Sequence, residues 1–151
     1  MVCSAHTESR SWWNEQDIQV AEMITVLSLD NQQEMEVVVA GPGTANRLFI
    51  YTGVAIFEFK GTGGTWLRDF IDFELGRVFA PGQVRDVLAT GALNSIKNDN
   101  TAVNAGWAVD RLNARWDPTE HRIKLRADLA VRDSDGYMQR MGYQVTVLAR
   151  I

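Results

Sequence analysis

Ile123-Lys124-Leu125-Arg126-Ala127-Asp128-Leu129-Ala130-Val131 is the stretch whose reading decides the fold. Apolar side chains at 123, 125, 127, 129 and 131 alternate with Lys124, Arg126, Asp128 and Ala130. A period of two puts successive side chains on opposite faces of a strand, so one face is apolar and the other wet. The alternation returns downstream. Tyr137, Met141, Tyr143, Val145, Val147, Ala149 and Ile151 share one parity, and Met138, Arg140, Gln144, Thr146 and Arg150 the other, with Leu148 the exception.

Between the two runs lies Asp133-Ser134-Asp135-Gly136. A three-residue loop, Ser134-Asp135-Gly136, sets odd positions against odd ones, with Leu129 opposite Met141, Ala127 opposite Tyr143 and Leu125 opposite Val145. This predicts a hairpin with Gly136 at positive φ, and a strongly destabilising Gly136→Val. Upstream, 105–116 reads as a third strand, turned by Asp117-Pro118-Thr119-Glu120, with proline at a position where its fixed φ fits. Its buried face is ambiguous, because Trp107 and Val109 compete with Leu112, Ala114 and Trp116. A three-stranded meander leaves its apolar face wet, so the first two thirds of the chain must cover it.

That remainder is also strand-rich. Residues 17–29 tilt toward strand through Ile24-Thr25-Val26, 30–33 read as a turn, and 35–40 as another strand. From Arg47 to Lys60 both parities are apolar, the pattern of a strand buried on two faces, and Gly53 suggests a bend or bulge within it. Gly61-Thr62-Gly63-Gly64 reads as a hairpin turn; it lacks the spacing of a phosphate loop. Residues 66–78 alternate again. Val84–Ala89 fits a short helix or a strand running on through Leu93 and Ile96. The expected fold is all-β and mainly antiparallel, a β-sandwich or closed barrel of about eight to nine strands with at most one or two short helices. Residues 1–12 read as a polar, flexible tail and 13–151 as a single β domain.

Composition narrows the function classes. Net charge is −4, which argues against general nucleic-acid binding. No apolar run is long enough for a helical membrane span. The first ten residues lack a secretory h-region, so a cytoplasmic location is the expectation, although a leader removed before numbering would leave the same sequence. Cys3 is the single cysteine, so no internal disulfide forms and a reducing compartment is the default. His6 and His121 are the two histidines, too few and too far apart for the usual zinc sites, and no metal or cofactor is expected. No Gly-x-Ser-x-Gly elbow occurs. Asp133-Ser134-Asp135-Gly136 lacks the first acid and the distal glutamate of a calcium loop.

Three groups of residues remain as candidates. Asp72 and Glu74 lie about 7 Å apart on one strand parity, but opposite an apolar face, which marks them as solvated. Glu58 and Asp69 flank the Gly61–Gly64 turn, and Glu58, on a strand read as buried on both faces, would need a partner such as Arg68 or Arg47; these two are the carboxylates an enzyme would use. Arg122, Lys124 and Arg126 share a parity and, with Arg140 and Arg150 on the adjoining strand, form a basic face. Charge is uneven along the chain: residues 1–104 carry 7 basic and 13 acidic groups, and residues 105–151 carry 8 and 6. The face is either balanced by acids across the sheet or a docking surface for an acidic partner, including the first half of a second copy. Trp12, Trp13, Trp107 and Trp116 are candidate interface anchors or stacking platforms. The expected function is therefore a non-enzymatic β-sandwich that binds a protein partner, itself or a carbohydrate. The alternative is a barrel holding a small apolar ligand, acting as an isomerase or cyclase through Glu58 or Asp69.

Overall fold

A computed structural model describes residues 24–39, 46–61, 64–97, 105–132 and 134–151. They form seven strands: β1 Thr25–Val39, β2 Asn46–Gly61, β3 Leu67–Leu75, β4 Val84–Lys97, β5 Gly106–Trp116, β6 Ile123–Arg132 and β7 Ser134–Arg150. Every pairing is antiparallel. The strands make two sheets, β1-β2-β7-β4 and β3-β6-β5, packed as a sandwich and not closed into a barrel. No helix among the described residues is long and apolar enough to cross a membrane.

The run 123–150 passes through the middle of both sheets. β6 lies between β3 and β5, and β7 between β2 and β4. This corrects the hairpin expectation, since β6 and β7 belong to different sheets and do not pair. β6 ends at Arg132 in one sheet and β7 begins at Ser134 in the other. The parity argument survives the correction. Leu129 and Ala127 meet Met141 in one core cluster, and Ile123 and Leu125 meet Tyr143, Val145 and Val147 in the other. Odd positions do face odd positions, across the core and not along a ladder. Alternation identifies the face that is buried, but not the strand alongside. β2 and β3, on either side of Gly61-Thr62-Gly63-Gly64, also lie in different sheets and do not pair as a hairpin; Thr62 and Gly63 lie outside the described residues.

Local irregularities account for the other differences. Asp30–Gln33 is not a turn but a bulge inside the continuous β1, where the register with β2 slips and Asn31 takes φ 52°. β1 is an edge strand, and an edge tolerates the extra residue. The face of β5 is ambiguous in sequence because both candidate sets point inward: the register with β6 slips between Val109 and Arg111, and that bulge at Asp110 shifts the parity. Val84–Ala89 is strand, the start of β4. Gly53 does mark a bulge, but the extra residue is on β1, where Asn31 and Gln32 together stand opposite it. A Cβ there would lie 2.4 Å from the Tyr143 hydroxyl, so its missing side chain makes room for that ring.

One end of the sandwich is closed by the β3–β4 connection. Phe79 is fully buried, its N–H donates to His121 O at 2.7 Å, and Trp116 Nε1 donates to Phe79 O at 3.1 Å.

Candidate functional site

The two outer faces of the sandwich differ sharply in chemistry. On the three-stranded sheet most outward side chains are charged. Lys124 Nζ lies 3.1 Å from Asp72, Arg126 Nε donates to Asp128 at 2.8 Å, Arg111 is 3.8 Å from Asp128, and Arg68 Nε donates to Asp110 at 3.2 Å. The Arg126 guanidinium sits 3.8 Å over the ring of Phe70. An open groove of about 630 Å³ runs between these groups. The basic face expected from sequence therefore exists, with its acids interleaved from β3, β5 and β6. Surface pairs of this kind contribute about 0–1 kcal/mol each, and they leave little net positive charge for an acidic partner. Arg140 is not part of it. It lies on β7, in the other sheet. Arg122 is exposed in the β5–β6 turn.

The remaining sequence candidates are dispersed. Glu58 is exposed on β2, so the expectation that it is buried and needs a partner does not hold. Asp69 lies on the inward parity of β3, where its carboxylate accepts from the Ile24 N–H at 3.0 Å and from its neighbour Phe70 N–H at 2.8 Å. It fixes the start of β1. The two acids are in different sheets and are not brought together. Trp107 is partly buried against the core, and Trp116 stacks on His121 at 5.7 Å. Both close the ends of the core instead of standing free. Trp12 and Trp13 lie outside the described residues.

The outer face of the four-stranded sheet is the feature the sequence concealed. Register lines up Val37, Leu48, Leu148 and Asp86 in one row, then Met35, Ile50, Thr146 and Leu88, then Gln33, Thr52, Gln144 and Thr90, then Asp30, Val54, Gly142 and Ala92. Only Asp86 and Asp30, at opposite corners of these rows, are charged. Met35 is 60% exposed, Leu88 65% and Val37 41%. A shallow trough of about 620 Å³ crosses the centre, floored by Gly53, Gly91 and Gly142. Asp86 and Arg150 lie at one end of the face, and Asp30 and Arg140 at the other. The apolar outer parity of β2 reads in sequence as a second core face. The telling signal is Leu148, the apolar residue that breaks the alternation of β7, together with the uncharged Leu88, Thr90 and Ala92 on the outer parity of β4.

A second concavity lies beside the bulge of β1. About 220 Å³ in volume, it is walled by Tyr51, Thr52 and Tyr143, by Gln32, Gln33 and Glu34 of the bulge, and by Leu75 and Gly76. Burial, helped by the Glu34 carboxylate, pushes the Tyr51 hydroxyl up to about 12, and burial raises Tyr143 as well. A folded-state pKa above the unfolded value of about 10 means that the native state holds its proton longer. Stability from Tyr51 is thus intact below pH 10 and is lost as pH rises toward 12. The expected loss is roughly 2 kcal/mol over that window, read from urea midpoints, and Tyr51→Phe should remove this part of the alkaline slope.

No protein-family model, curated protein or solved structure matches this chain.

Proposed function

We propose that the protein is a non-enzymatic assembly module that pairs with a second copy of itself through the sparsely charged outer face of the four-stranded sheet. The observation that carries this reading is the contrast between the two outer faces. Depletion of charge at the centre of a patch is the compositional mark of protein interfaces. One face has charges at most outward positions, and the other has only Asp86 and Asp30 over four rows, one at each of two opposite corners. At strand spacings of about 4.8 Å and an outward repeat of about 6.6 Å, these four rows cover roughly 450 Å² of flat sheet. Pleating and the rim enlarge that toward the ~800 Å² per partner of a standard interface.

A second copy is the occupant favoured by chemistry. Flat aliphatic, hydroxyl and amide surfaces are complementary to themselves, and a two-fold axis sets the same patch on both sides. Each end of the face carries an acid and an arginine, so stacking in either sense forces no uniformly charged edges together. Two sheets stacked this way sit about 10 Å apart.

Sedimentation mass tests the reading. The wild-type chain should dimerise, and the dimer should resist added salt, because apolar contact is not screened. Leu88→Lys should weaken dimerisation by roughly tenfold or more while leaving the monomer's stability within about 0.5 kcal/mol. A chain that stays monomeric up to high concentration defeats this proposal. A dimer that salt dissolves points instead to the charged sheet.

A further inference from the structure

The four-stranded sheet has one strand more than its partner, and β1 is exposed along nearly its whole described length. The cavity at its bulge is therefore reachable from solvent, yet its two principal polar groups are buried. Tyr51 is 3% exposed and Tyr143 5%. Neither hydroxyl makes a hydrogen bond among the described residues. The Arg77 N–H near Tyr51 and the Gln32 side chain near Tyr143 exert a smaller opposite pull on their pKa values, but neither meets hydrogen-bond geometry.

Both rings are held in place by backbone. A Cβ on Gly53 would lie 2.4 Å from the Tyr143 hydroxyl, and one on Gly76 would lie 2.2 Å from the Tyr51 ring. The rings also pack on neighbours, Tyr51 stacked on Phe49 at 6.5 Å and Tyr143 against Phe73 at 5.2 Å. Two tyrosines that line one cavity are held by close packing, and each carries a buried hydroxyl without a partner among the described residues. Buried polar groups in folded proteins are ordinarily satisfied, and each exception asks for a missing partner.

We propose that this cavity binds a small uncharged molecule bearing vicinal hydroxyls, a sugar or polyol. A phenol that stays protonated across the neutral range both donates and accepts, as a hydroxylated carbon chain does. The Gln32 and Gln33 amides add a donor and an acceptor each, and the Glu34 carboxylate accepts O–H groups while repelling anions. Glu36 adds to that negative field, and Arg77 beside Tyr51 offsets the attraction that a cation would feel. Leu75 supplies an apolar wall for C–H groups. A cavity of about 150 Å³ encloses a six-carbon ring, so the observed 220 Å³ suits a slightly larger molecule of this kind.

The test is a titration of the full chain with D-xylose, D-glucose, myo-inositol and, as the anionic control, sodium acetate, following the 13Cζ resonances of labelled tyrosine. At least one of the three hydroxylated probes should shift Tyr51 and Tyr143, and acetate should shift neither. Tyr51→Phe and Tyr143→Phe should each weaken binding by about tenfold, while the unliganded melting temperature holds or rises, because each removes a buried unpartnered hydroxyl. Glu34→Gln lies on the exposed edge strand and keeps the fold; it should lower sugar affinity and relieve the exclusion of acetate. If no hydroxylated probe shifts either tyrosine, the cavity holds water alone and the proposal fails. It fails equally if acetate binds as well as the sugars, or if all three variants bind like the wild type. None of these outcomes depends on the dimer.

Discussion

Gly76→Val is expected to destabilise the protein by about 3–5 kcal/mol, among the largest losses available from a single substitution. Two costs combine. Gly76 has φ 64°, a conformation that costs a β-branched residue about 1–3 kcal/mol. The new Cβ would also fall 2.2 Å from Cε1 and 2.3 Å from Cζ of Tyr51. That ring cannot give way cheaply, since it is buried and stacked on Phe49, and overpacking of this sort costs a further ~1–3 kcal/mol. Gly82→Ala separates the two terms. Gly82 has φ 79° with nothing within 4 Å of its would-be Cβ, so it carries the backbone cost alone. Urea midpoints at unchanged m-value would measure both. If Gly76→Val costs no more than Gly82→Ala, the close approach to Tyr51 is refuted. The sequence pointed instead to Gly136→Val, but the β6–β7 hairpin that argument required does not form.

Phe57→Ala should cost about 3–5 kcal/mol, the usual range for emptying a buried aromatic site. Phe57 is fully buried on β2, in the cluster where Ala55 and Met141 of one sheet meet Ala127 and Leu129 of the other. Its neighbour Ile56 points the other way and is only partly buried. Ile56→Ala should therefore cost about 1 kcal/mol, since less apolar area leaves water. The pair is a direct assay of sidedness. Equal losses at both positions would mean that β2 is covered on both faces, as its sequence suggests, and would remove the open face on which self-association rests. Unequal losses measured in the monomer keep that face free for a second copy.

Much of the fold was legible before any coordinates. Alternation assigned the inward parity of β3, β6 and β7, whereas β2, apolar on both parities, read as buried on two faces; Asp117-Pro118-Thr119-Glu120 does turn β5 into β6. The one strand whose face the alternation left ambiguous, β5, carries a bulge at Asp110, and the bulge is why two competing apolar sets both face inward. The site was far less legible. Lys124 and Arg126 were visible as a charged face, but Asp72 and Asp110, which lie beside basic residues there, belong to other strands. Leu148 looked like an imperfection in β7 until Leu48 and Val37 lined up with it in register. Tyr51 and Tyr143 became paired polar groups only when β2 and β7 paired.

From its residues alone, this chain determined that it would be antiparallel β and, for β3, β6 and β7, which side chains would leave water. Those are local matters, because the pleat repeats every two residues whatever lies alongside. Which strand lies beside which, that β6 and β7 fall in different sheets, and that one outer face carries few charges were settled by tertiary structure. Two strands with matched apolar faces satisfy the hydrophobic effect equally well side by side or face to face, and only packing of the whole chain around a single core distinguishes the two.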